Sequence, residues 1–104
     1  MKITDETIDK IETIFGFSLY HWQREYLKGQ REYPISGNRN GKTFAYCLRL
    51  LLSDGDSITI NRLHKYSDIL LLGNRYNIWF KHYCLDINRI LIENGFSTRI
   101  KEGR

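Results

Sequence analysis

Residues 33–48, YPISGNRNGKTFAYCL, decide how the rest of the chain is read. A short strand over 33–36, a polar turn and the first turns of a helix over 42–53 follow in that order. Gly37 and Gly41 bracket the turn, and Lys42 and Thr43 come directly after it. Glycine lets the backbone take positive φ and approach an anion closely. The bare N–H groups of a helix start, with the positive end of its dipole, then attract phosphate. A lysine adds a point charge, and a threonine hydroxyl can ligate Mg²⁺ carried by a nucleotide. The expected nucleotide site is therefore the loop 36–43, with Gly37, Asn38, Arg39, Asn40, Gly41, Lys42 and Thr43. ATP and Mg²⁺ are the expected cofactors, the latter on Thr43.

The spacing departs from the Walker A motif in one respect. That motif places a glycine five residues before Gly41, where this chain has Ser36. Its first glycine, Gly37, stands one place late.

Working outward toward the N-terminus, residues 4–15 repeat apolar side chains at helical spacing: Ile8, Ile11, Ile14 and Phe15. Thr4 or Asp5 suits the cap, and Gly16 suits the left-handed residue that closes the helix. A second helix is expected over 18–28, with Leu19, Trp22, Tyr26 and Leu27 on its apolar face. Gln23 lies on this helix shortly before the loop. Its amide both donates and accepts, as the edge of adenine requires. Phe17 or Tyr20 can stack on the ring.

Toward the C-terminus, SITI (57–60) reads as a short strand or the edge of a loop. SDILLLGN leads to a strand over 68–73. A long helix is expected over 75–93, with Tyr76, Trp79, Phe80, Tyr83, Ile87 and Leu91 on one wide face. A third strand is expected over 96–100. Together these give an α/β fold with a small, mostly parallel sheet of three or four strands and flanking helices. A parallel sheet needs both faces covered, and so few helices cover them thinly. Either the first two helices cover one face and the other two the second, or the chain forms a homodimer or docks on a partner.

At this point the order of parts resembles a known family. FSLYHWQREYL followed by YPISGNRNGKTFAYCLRLLL is similar to the start of a phage terminase large subunit. More broadly it resembles the first ATPase domain of superfamily 2 helicases, truncated. The resemblance implies a P-loop NTPase-like fold, with Gln23 and Phe17 at the adenine and the GKT residues at the phosphates. Arg39 matches an arginine that terminases often carry in this loop. It also implies nucleic acid near the long helix, on Arg75 and Lys81. The paired acids of a Walker B strand are missing. Asp68 stands before its apolar run and Glu93 follows one on a helix. Such acids hold Mg²⁺ and orient water, so turnover without a partner is not expected.

Composition narrows the rest. The 104 residues suffice for one domain, and 13% aromatic content argues against disorder. No apolar run nears the roughly 18 residues of a membrane span. The start MKITDETIDK has no signal-peptide core. Cys47 and Cys84 are far apart and read as reduced, buried thiols of an intracellular protein. The expected setting is the cytoplasm of an infected host cell. No His, Cys or carboxylate spacing suggests a metal site built from side chains alone. The net charge of +4 lies wholly in residues 58–104, which hold eight basic and four acidic side chains.

Three functions fit these residues. The first is a phage-type ATP-binding protein that is not a self-sufficient ATPase. The second is a small phage-encoded interaction protein or inhibitor, anti-CRISPR-like or directed at a host factor, that uses the fold as a scaffold for a host or viral partner. The third is a weak nucleic-acid binder acting through the basic second half.

Overall fold

The computed structural model describes residues 2–34, 41–69 and 73–101. Helix α1 spans Asp5–Phe15. Thr4 caps it, its hydroxyl accepting from the Thr7 N–H, and acids fill the first turn where the dipole favours them. Gly16 closes it at φ 79°, donating its N–H to the Glu12 carbonyl. The turn that follows is held by the Glu12 carboxylate, which accepts the Leu19 N–H at 2.6 Å.

Helix α2 covers only His21–Leu27. Its cap is Tyr20, so the helix starts later than the expected residue 18. Arg24 fastens α2 to α1 by ion pairs to Asp5, Asp9 and Glu12. Helix α3 spans Lys42–Leu52 and buries Phe44, Ala45, Cys47, Leu48, Leu51 and Leu52. Strand β1, Ile58–Thr59, runs into a 3-10 helix, Ile60–Tyr66. Helix α4, Asn74–Glu93, is the longest element and buries Phe80, Cys84, Ile87 and Leu91 against the others. Strand β2, Ile100–Lys101, ends the described chain.

The expected α/β architecture is overturned. Among the described residues there are four α-helices, one 3-10 helix and a single two-stranded sheet. β1 pairs with β2 in parallel, Ile58 opposite Ile100 and Thr59 opposite Lys101. Of the expected strand 96–100 only Ile100 is extended into the ladder. Tyr33 and Pro34 are not in a strand, and the remainder of the strand expected over 33–36 lies outside the described residues. Asp68, Ile69 and Gly73 are not in one either, and residues 70–72 also lie outside.

The reason lies in where the core is built. α3 packs on α2 and α4, and α4 packs on the 3-10 helix. Helix against helix thus buries the large apolar side chains, Phe80, Leu48, Leu51 and Leu63 among them. The two-residue ladder only ties the chain's end to the end of α3, through Arg99 N–H to Leu51 O and Ile58 N–H to Arg99 O. The segment around Asp68 turns its carboxylate toward three hydroxyls instead of entering a ladder. Among the described residues no helix is long and apolar enough to cross a membrane.

Candidate functional site

The site is built around Gly41, the residue before α3. Gly41 takes φ 77° and ψ 16°, a left-handed conformation that glycine adopts without strain. A Cβ here would also lie 2.3 Å from the Gln23 side-chain nitrogen. Two physical demands therefore fall on one position.

Gln23 answers both helices at once. Its Oε1 accepts the Tyr20 N–H at 2.8 Å, satisfying a donor at the start of α2. Its Nε2 donates to the Gly41 carbonyl at 3.0 Å. The residue is only 2% exposed, so this amide is a buried brace between α2 and the start of α3.

On one side of Gly41 opens a cavity of about 640 Å³, a size suited to a small-molecule ligand. Phe17, Phe44, Tyr83 and Ile87 give it apolar walls, Ser18, Tyr20, Gln23 and Gly41 also line it, and Asp86 is its one charged lining residue among the described residues. Phe17 and Phe44 have ring centroids 5.3 Å apart. Phe17 is half exposed, so its ring keeps a face toward solvent.

On the other side lies a second cavity of about 410 Å³. It holds the polar groups Tyr33, Lys42, Thr43 and Asp68, and shares Gly41, Phe44 and Tyr83 with the first. Asp68 is the hub. Its Oδ2 accepts from the Thr43 hydroxyl at 3.0 Å and the Tyr33 hydroxyl at 2.7 Å. Its Oδ1 accepts from Tyr76 at 2.6 Å. The Lys42 ammonium sits 5.5 Å from the centre of the Tyr33 ring, within cation–π range. Burial, and then hydrogen bonding to Asp68, holds the Tyr33 phenol well above its usual range. The same two causes push Tyr76 up to about 12. Both phenols are therefore fixed as donors at neutral pH.

Of the residues expected at the nucleotide, Gly37, Asn38, Arg39 and Asn40 lie outside the described residues. Gly41, Lys42 and Thr43 stand together at the start of α3, with Gln23 and Phe17 on the apolar side. Arg75 and Lys81 are not brought together. Six residues apart on one helix, they diverge by roughly 120° around its axis. Lys81 lines a separate cavity with His64, Asn74 and Asn77.

Sequence reasoning missed Asp68. It was set aside because it precedes its apolar run, yet the fold brings it to Thr43. Chain order does not reveal such convergence; the available signal was an acid next to a run of leucines. Tyr83 is missed as a pocket residue because it shares the face spacing of ordinary core positions, and Asp86 because an exposed acid on a helix carries no signal of its own. Cys47 and Cys84 are both buried. The neighbouring Cys84 thiol, with burial, pushes the Cys47 thiol far up, so it carries no nucleophile.

No family model, no curated protein and no solved structure matches this chain.

Proposed function

We propose that the chain binds a nucleoside triphosphate, with ATP as the reference ligand. The observation that carries this is the meeting of two unlike cavities at Gly41. One is apolar and aromatic and suits a base. The other presents an ammonium, two hydroxyl-bearing residues and a helix start, and suits phosphates. Lys42 draws the phosphates, and the N–H groups at the head of α3 face them. Phe17, Phe44 and Tyr83 supply the walls for the base.

Mg²⁺ would enter with the phosphates. Thr43 gives its hydrogen to Asp68 and keeps its oxygen lone pairs, which fits a metal ligand. Among the described residues no three His, Cys, Asp or Glu side chains gather to hold a metal without a ligand. Mg²⁺ bound this way screens phosphate charge. Among the described residues nothing at the site is arranged to activate water, and the Asp68 carboxylate is already engaged by three hydroxyls. The protein is a binder, expected to act in the cytoplasm of an infected cell, and turnover would need groups from a partner.

Titration of a fluorescent ATP analogue tests this. Wild type should bind and Lys42→Ala should lose at least tenfold in affinity. Equal signals from both, or none from either, remove the reading.

A second reading has its own observation. Ile69 and Trp79, which both line the second cavity, are exposed, Trp79 at 48%, with its ring stacked on Tyr83 at 5.0 Å. Exposed apolar groups grouped this way favour a protein contact. Pull-down from host lysate separates the two readings. A stoichiometric partner whose capture ignores Lys42→Ala but falls with Trp79→Ala supports the interaction protein.

A further inference from the structure

Gln23 is the residue expected at the edge of the base, yet the fold gives its amide other work. Its oxygen accepts the Tyr20 N–H and its nitrogen donates to the Gly41 carbonyl. Turning it toward a ligand would break both bonds of a buried side chain. Reading the base then falls to other groups that line the apolar cavity.

Asp86 is a charged group among them. It stands on α4 three residues after Tyr83 and four before Ile90, which line the same cavity. Its side chain is 73% exposed, so it sits where the cavity meets solvent. Arg89 approaches it only to 3.9 Å, beyond hydrogen-bond reach, and lies 3.7 Å from Glu93 as well. The carboxylate therefore has two oxygens to offer a ligand, both acceptors.

In a purine the glycosidic bond leaves the five-membered ring, and the Watson–Crick edge lies across the six-membered ring from it. The two cavities meet at Gly41. A ribose there turns that edge into the apolar cavity, with Phe17, Phe44 and Tyr83 against the ring faces. Contact with the faces is tolerant of base identity. The hydroxyls of Ser18 and Tyr20, which also line the cavity, donate or accept and suit either purine. A carboxylate only accepts. Guanine presents it two adjacent donors, the N1–H and the 2-amino group, matched to its two oxygens. Adenine presents one donor, the 6-amino group, beside the N1 lone pair, so the second oxygen meets acceptor against acceptor.

We propose that the cavity prefers guanine to adenine and that Asp86 is the residue that sets this preference. The proposal rests on the nucleotide reading above and adds the base to it. A two-bond match discriminates against the wrong base by about ten- to a hundredfold. Solvent screens contacts of an exposed carboxylate, which places the expected preference at the lower end, about tenfold.

The test is displacement of the fluorescent ATP analogue by GTP, ITP and ATP. ITP carries the N1–H of guanine without its 2-amino group. On the wild-type protein GTP should compete about tenfold better than ATP, with ITP between them. Asp86→Asn offers one acceptor and one donor, the pattern that adenine matches. It should weaken GTP by about tenfold and bring ATP level with it or ahead. ATP competing as well as GTP on the wild type, or a GTP-to-ATP ratio that Asp86→Asn leaves unchanged, overturns the proposal while the nucleotide reading stands. Failure of every nucleotide to displace the analogue overturns the nucleotide reading and the proposal with it, a distinct outcome.

Discussion

Gly41→Ala should damage the fold far more than its size suggests. Alanine at φ 77° costs about 1–2 kcal/mol for the left-handed backbone. The new methyl group also meets Gln23 Nε2 at 2.3 Å, so the brace must move. Moving it takes the Gln23 acceptor from the Tyr20 N–H and one of two donors from the Gly41 carbonyl, which keeps the Ala45 N–H, worth about 0.5–1.5 kcal/mol. The total is about 1.5–3.5 kcal/mol, a large share of the roughly 5–15 kcal/mol of a typical domain. At this chain length that corresponds to a fall in Tm of about 6–28 °C. Gly16→Ala is the control. Gly16 has nearly the same angle, φ 79°, with nothing within 4 Å of an added Cβ. It should show the backbone cost alone, about 1–2 kcal/mol. Thermal and urea unfolding of both variants, and of Gly41→Ala in a Gln23→Ala background, separates the terms. In that background Gly41→Ala should cost no more than Gly16→Ala. If Gly41→Ala costs the same as Gly16→Ala in the otherwise native chain, the brace is not a constraint and the reasoning fails.

Further outcomes follow from the Asp68 hub and the core. Asp68→Asn keeps the shape but loses the charge that three hydroxyls share, and should cost about 2–3 kcal/mol in urea unfolding. Tyr76 is held up to about 12, above its unfolded value near 10, chiefly by burial and then by Asp68. The folded state thus keeps a proton that the unfolded chain releases, so this stability is complete below pH 10 and is lost as pH rises toward 12. Tyr76→Phe should flatten part of that alkaline loss relative to wild type; an unchanged profile would contradict the assignment. Cys47 and Cys84 should react with a thiol reagent only at the rate of unfolding, because both are buried. Phe80→Ala, at a fully buried ring, should cost about 3–5 kcal/mol, with a smaller loss marking a looser core.

The helices were legible because their signals are local. Ile8 and Ile11 repeat at helical spacing, Thr4 caps and Gly16 stops, and α1 runs between them. Tyr76, Phe80, Ile87 and Leu91 mark α4 in the same way. The sheet was misread because short apolar runs do not by themselves distinguish strand from coil or helix. Two β-branched segments, SITI and FSTRI, do find each other, but for two residues only. At the site, Lys42 and Thr43 were legible since they belong to the start of α3. Gln23 was legible as a polar residue with a task, yet its partner is a carbonyl eighteen positions on. Asp68 reaches Thr43 across twenty-five positions. Contacts of that range depend on how helices pack, which no local pattern encodes.

The central claim is that a polyanion sits at the head of α3 with its base beside Phe17 and Phe44. Backbone amide NMR shifts during an ATP titration with Mg²⁺ test it most directly. The account predicts that the Gly41, Lys42 and Thr43 amides move most, accompanied by Phe44 and Tyr83. Shifts confined to α1 or the 3-10 helix, or no shifts at millimolar nucleotide, would contradict it.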